Sequence, residues 1–293
     1  MDVIPGQIST KQFHAYMLGS IAPRPICFAS TIDKEGNVNL SPFSFFNAFG
    51  SNPATIVFSP ARRVRDNTTK HTLENILETM EVVINVVSYD MVQQTSLSSC
   101  EYPQEVNEFV KAGFTPIASD LVKPFRVKES PVSMECKVVE VKAMGDQGGA
   151  ANLIICEVLK MHINDAILDA DQQIDPHKID LVARMGFDYY CRASGAAVFE
   201  VAKPNHHLGL GFDNLPEKIL KSKILSGNDL GILANYTTIP QAISVDDHQL
   251  TNLLTDFEND EEQKIAALHE YAKKLIKNGD VALAWQVLLA GME

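Results

Sequence analysis

The chain has 293 residues, 45% of them hydrophobic and 21% charged, with 16 Gly and 14 Pro. This is the composition of a folded globular protein and excludes a collagenous or low-complexity one. A formal net charge of -12 argues against a general binder of nucleic acid or anionic membrane.

The N-terminal "MDVIPGQIST" has no basic n-region and no apolar h-region, so no signal peptide is expected. No apolar run approaches the ~20 residues of a membrane span. Next comes "PICFAST" (Pro25 to Thr31), an apolar strand, then a turn with Gly36-Asn37 at its tip, then "VNLSPFSFFNAF", which resumes as the second arm of a hairpin. "ATIVFS" (Ala54 to Ser59) and "EVVINVVS" (Glu81 to Ser88) read as further strands. Between them, Leu73, Ile76, Leu77 and Met80 recur at i, i+3, i+4 and i+7, one apolar helix face. "YDMVQQTSL" and "VNEFVKAG" read as two short helices. "VSMECKVVEVKAM" and "NLIICEVLKMHI" are long strands joined by a Gly-rich turn. Without regular βαβ alternation, the pattern predicts a mainly β fold, an antiparallel barrel with peripheral helices. From about Pro204 the texture becomes helical. Ile265, Leu268, Tyr271 and Leu275 keep helical spacing, and Gly279 stands ready to end that helix before another containing the one tryptophan, Trp285. The expected division is 1–203 for the barrel and 204–293 for a helical C-terminal extension.

The five cysteines (Cys27, Cys100, Cys136, Cys156, Cys191) are odd in number and form no C-x-x-C pair. Reduced thiols in a cytoplasmic protein are expected rather than a disulfide framework or zinc site. Asp169, Asp171 and Asp175 have the spacing of a calcium loop but lack its glycine and its closing glutamate, so a solvated loop is expected. The adjacent pair His206-His207 is a poor metal chelate, and no metal site is predicted. The motifs of P-loops, nucleophile elbows and zincins are missing from the sequence.

Two features point to chemistry. "ARRVRDNTTKHTLEN" packs Arg62, Arg63, Arg65 and Lys70 just ahead of a helix start. Helix N-termini offer free N–H groups and partial positive charge, Arg a planar fork, Lys a point charge and Thr a hydroxyl, so a phosphate group suits the segment. A solvated loop pairing with surface carboxylates is the other reading. In "NLSPFSFFNAF", Phe43, Phe45, Phe46 and Phe49 are interleaved with Asn39, Ser41, Ser44 and Asn47. Such a strand can support a flat polar ring, although on period alone core aromatics are the plainer reading.

The run from Arg24 to Ser59 resembles the flavin reductase-like family, whose domain is an FMN-binding split barrel. It carries Arg24-Pro25, Ser30-Thr31, Gly36, Asn39, Pro42-Phe43-Ser44-Phe45-Phe46, Asn52-Pro53 and Ser59 in family order. Lys70-His71-Thr72-Leu73-Glu74-Asn75-Ile76 is similar to the family's K-D-T-x-x-N-I helix start, and Val82-Val83-Ile84-Asn85 to its F-V-V-N strand. "NLIICEV" and "ARMGFDYY" look like its later strand and closing segment, so the resemblance spans about residues 10 to 200. It implies that Ser59, Arg62, Arg65, Lys70 and Thr72 hold the phosphate of FMN. Asn39, Ser41, Pro42, Phe43, Ser44 and Phe45 would border the isoalloxazine ring, and Phe187 would stack near it. Asn152 stands where the family often has a histidine, and His71 where it has Asp. The implied activity is flavin reduction by NADH or NADPH in a homodimer, with electrons passing to a downstream acceptor or, as in flavoredoxin, with the protein acting as a carrier. A flavin-free binding protein on the same fold is the third possibility. No catalytic acid or base is assigned, because hydride transfer does not require one.

Overall fold

The computed structural model describes residues 1–204 and 207–292, so His206 of the histidine pair lies outside the described residues. The chain divides into two compact units, Met1–Phe199 and Glu200–Glu293.

The first unit contains helices α1 (Thr10–Ser20), α2 (His71–Thr79), α3 (Val92–Leu97) and α4 (Glu108–Ala112). Its strands are β1 (Cys27–Ile32), β2 (Val38–Phe43), β3 (Phe46–Ser51), β4 (Ala54–Phe58), β5 (Glu81–Val86), β6 (Pro116–Ile117), β7 (Arg126–Val127), β8 (Val132–Ala143), β9 (Asn152–Ile163), β10 (Val182–Arg184) and β11 (Tyr190–Arg192). Seven of these form one sheet in the order β2-β1-β5-β8-β9-β4-β3, antiparallel at each pairing. The remaining four make two short hairpins, β6 with β7 and β10 with β11.

The two edge strands, β2 and β3, are consecutive in the chain. Only Ser44 and Phe45 separate them, a reach of about 10 Å at full extension. The sheet therefore curls until its edges approach, giving a barrel split between β2 and β3. "VNLSPFSFFNAF" is thus not the single strand expected from its composition. It breaks at Ser44-Phe45, and its halves serve opposite ends of the sheet.

Alternation sorts the side chains. Cys27, Ala29, Ile56, Phe58, Val82, Ile84, Cys136 and Ile154 point inward and form one cluster with Leu73 and Ile76 of α2. Phe28, Leu40, Met91, Phe109 and Phe114 form a second cluster on the other face, under α3 and α4. Full burial of Phe28 and Phe58 stabilises the fold by about 2–3 kcal/mol each. Cys27, Cys136 and Cys156 lie buried in the barrel interior. Burial raises all three thiols above their ordinary value, Cys156 to about 12. Asn85 ties three strands together: its amide donates to the Phe28 carbonyl, and its oxygen accepts from Val127 N and Ser133 Oγ.

The β2 edge is finished locally. Glu108 of α4 accepts from the Leu40 amide at 3.0 Å. Two residues on, at the same edge parity, stands Pro42, which has no N–H to satisfy.

One helix was not expected from the sequence, and one helical expectation needs correction. α1 gave no sequence signal because it buries none of its residues and so has no apolar stripe. In α2 the stripe is narrower than its period implies: Leu73 and Ile76 are buried, but Leu77 is 59% exposed. The rest of the buried face is polar, Thr72 and Asn75.

The second unit holds α5 (Glu217–Leu220), α6 (Gly227–Ala234), α7 (His248–Asp256), α8 (Glu261–Lys277) and α9 (Val281–Ala290). Leu233, Leu268, Ala272, Trp285 and Leu288 centre a core of its own. A capping box of Ser226 and Asp229 starts α6, and Gly279, at φ 89°, makes the turn from α8 into α9.

Candidate functional site

Lys70 stands at the capping position just ahead of α2 and supplies no side-chain cap. The first amides of a helix have no partner inside it. Here the amides of His71 and Thr72 have no backbone acceptor among the described residues. Thr72 Oγ1 accepts from Asn39 Nδ2 at 2.8 Å, and that amide also reaches Thr31 Oγ1 at 3.4 Å. Asn75 donates to the same Thr31 hydroxyl at 3.2 Å. This buried network clamps the helix start to β1 and β2, beside Ser41. Asn39, Ser41, Lys70 and Thr72 consequently line one small cleft, together with Arg63, His71, Glu101, Tyr102 and Glu108.

The arginines divide. Arg62 turns back on its own loop, donating from Nε to Asn67 Oδ1 at 2.7 Å and from Nη2 to the Asn67 carbonyl at 2.6 Å. Its backbone is held by Ala150 and Gly149. Arg65 stands out in solvent, its side chain 73% exposed, and pairs with Asp66 and Glu101. The cleft instead receives Arg63, which is largely buried and donates to Thr68 Oγ1, the Thr69 carbonyl and Glu101. Burial and then the adjacent Arg63 hold the Lys70 ammonium below its usual value, with Glu101 and Asp66 opposing. Ser59, at the start of the loop, is buried, and its hydroxyl has no hydrogen-bond partner among the described residues.

The other predicted residues lie elsewhere. Pro42 sits opposite Phe28 in the β1 register. Phe43 packs on Phe58 with ring centroids 5.6 Å apart, in the barrel interior. Ser44 lies 3.5 Å from Nε of Arg24, whose buried guanidinium also donates to the carbonyls of Leu18, Ile21 and Met185. Phe45 meets the edge of His14 at 6.0 Å. Asn152 is buried and donates to the Pro60 carbonyl at 3.0 Å, anchoring the basic loop. Phe187 is 74% exposed in the turn between β10 and β11. Asp169, in the acidic loop, accepts from the amides of Asp171 and Gln173, as a solvated turn would.

A larger cavity of about 410 Å³ lies between α3 and the β10–β11 hairpin. Arg192 stacks over Tyr89 at 3.8 Å and Arg184 over Tyr190 at 4.6 Å beside it. Arg192 and Tyr89 lie far apart in the chain, so no local pattern announces their contact, while Arg184 and Tyr190 meet across the β10–β11 hairpin. Arg63 was visible in the basic run, but only the fold selects it over its neighbours.

Residues 18–177 match the model of the flavin reductase like domain. An uncharacterised protein of Aquifex aeolicus is 37% identical over 201 residues, covering 69% of this chain and all of its own length. Among solved structures, component B of a nitrilotriacetate monooxygenase from Bacillus cereus superposes with a TM-score of 0.64 at 26% identity, covering 69% of this chain and 98% of its own. A Shewanella frigidimarina protein assigned as a flavin reductase with a split barrel domain gives a TM-score of 0.58 at 26% identity, covering 69% and 100%. The matched domain ends before the second unit begins.

Proposed function

The chain belongs to the flavin reductase-like family, and we propose that it is an FMN-dependent oxidoreductase that takes electrons from NADH or NADPH and passes them to a downstream acceptor. The observation that carries the reading is the uncapped start of α2, with Lys70 half-buried beside it and Arg63 turned into the same cleft. The partnerless Ser59 hydroxyl adds a donor in the adjoining loop. This donor set fits a phosphate monoester: Lys70 as point charge, Arg63 as fork, and the His71 and Thr72 amides as directed donors. FMN, when bound, would supply the acceptance of hydride at its N5 and the release of electrons onward.

The chain's residues would bind and orient. Thr72, already accepting from Asn39, keeps its hydroxyl proton to donate. Asn39 and Ser41 carry the site along β2 toward Ser44 and Phe45, the split in the barrel where a planar ring can lie. Arg62 and Asn152 act indirectly, by fixing the shape of the loop. Exposed Phe187 and Tyr189 would be covered in a homodimer, which sedimentation would detect. Buried, unpaired thiols agree with a cytoplasmic setting.

A second reading, an FMN electron carrier reduced by another protein, is favoured by Asn152: the histidine position holds a neutral amide committed to Pro60. Anaerobic mixing separates the two. The oxidoreductase bleaches the absorbance of bound FMN with NADH or NADPH within seconds, and the carrier does not. Purified protein that gains no yellow chromophore from FMN would refute both.

A further inference from the structure

We propose that the Glu101 carboxylate is an internal counter-anion at the phosphate position, a competitor that a phosphorylated flavin must displace and that keeps bound FMN exchangeable. The inference rests on the reading of Lys70 and the α2 start as that position. Glu101 comes from the segment between α3 and α4. Its Oε1 lies 3.1 Å from Arg63 Nε and its Oε2 2.7 Å from Arg65 Nη2, so one carboxylate holds two of the loop's guanidiniums. Its neighbours Ser99, Cys100 and Tyr102 line the same cleft as Asn39, Ser41, Lys70 and Thr72. The cleft is narrow, with about 20 Å³ of free space between them, room for roughly one water molecule. A phosphate that reaches Arg63 and Lys70 there competes with the Glu101 carboxylate for the Arg63 guanidinium.

The charges agree. Among the described residues Arg63, Arg65 and Lys70 are set against Glu101 and Asp66, with the buried Glu108 lining the same cleft but spent on the Leu40 amide, and Asp66 is engaged by Thr68 as well as Arg65. Lys70 makes no ion pair among the described residues, while Glu101 is pulled toward ionisation first by Arg65 and then by Arg63 and Lys70. A dianion brings one more negative charge than Glu101 and can reach Lys70 and the α2 amides besides. Yet it must first break two ion pairs, the exposed one to Arg65 and the part-buried one to Arg63, and every phosphorylated ligand meets that cost. Riboflavin, which has no phosphate, leaves Glu101 in place.

The test uses the full chain as wild type, Glu101→Gln, Glu101→Asp and Lys70→Gln, titrated with FMN and riboflavin by flavin fluorescence and with inorganic phosphate by thermal shift. Removal of one nearby negative charge is expected to tighten FMN binding about five- to tenfold. Riboflavin binding should be unchanged, and phosphate should raise the melting temperature more in Glu101→Gln than in wild type. Glu101→Asp should fall between. Lys70→Gln should weaken FMN and leave riboflavin alone. Equal or weaker FMN binding by Glu101→Gln overturns the inference, and the phosphate reading survives if Lys70→Gln still separates FMN from riboflavin. If wild type binds no flavin, the flavin reading falls, and the phosphate arm then decides alone: a larger shift in Glu101→Gln supports the counter-anion, and no difference removes it. If every variant binds FMN and riboflavin equally, Lys70 and the α2 start are not the phosphate position and the inference falls with that reading.

Discussion

Glu135 shows how much one side chain can organise. It is fully buried in β8, yet its oxygens accept from the amides of Asp120 and Leu121 at 2.9 and 2.6 Å and lie 2.6 Å from His162 Nε2. Burial opposes its ionisation, but the amides and His162 prevail and hold the carboxyl below its ordinary value. A depressed folded-state value means stability that is present above the unfolded value, about 4.3, and is lost as pH falls through the folded one. Glu135→Gln should lower stability at pH 7 by about 3 kcal/mol, since its NH₂ would face N–H donors. Its melting temperature should also change less than that of wild type between pH 5 and 3, as scanning calorimetry would register. A sequence cannot announce this residue. Glu135 sits in an apolar strand where a charge looks misplaced, and its partners lie 14 to 27 positions away. The basic loop was legible because its charges are contiguous. Which of its arginines turns inward depends on how Ala150 and Gly149 hold the backbone of Arg62.

At the level of elements, the strands were readable wherever alternation reflects one buried face. β1, β5, β8 and β9 keep nearly their expected bounds. The Ser44-Phe45 break was hidden because serine and phenylalanine suit a strand as well as a junction, and barrel closure, a non-local constraint, decides where the chain turns. α4 makes the complementary point. Its Glu108 is buried and pushed above its ordinary value by burial, against the Leu40 amide that stabilises the charge. A raised value means that its contribution is complete below the unfolded pKa and declines as pH rises through the folded one. Glu108→Ala should cost about 1–3 kcal/mol by stranding the Leu40 N–H and should speed hydrogen exchange at Leu40. Glu108→Gln keeps an acceptor without the buried charge, and its melting temperature at pH 7 should equal or exceed that of wild type.

The whole molecule carries separate cores, one inside the barrel, one on its outer face and one in the helical unit. The two units divide at Phe199–Glu200, and the elements beyond are helices. The cavity beside Tyr89 was not legible, because hairpin and helix meet there only after folding. The reporters are conveniently segregated. Trp285 is buried in the second unit, while Cys27, Cys136 and Cys156 are buried in the first. Urea unfolding followed by tryptophan emission and by thiol labelling should therefore give two non-coincident transitions. In the native state Cys100 and Cys191, exposed and half-buried, should label first. Finally, the finish of β2, with a carboxylate on the Leu40 amide and a proline two residues on, has a consequence for solubility. A stray extended segment finds few donors to grip there, so runaway strand addition is blocked along that margin.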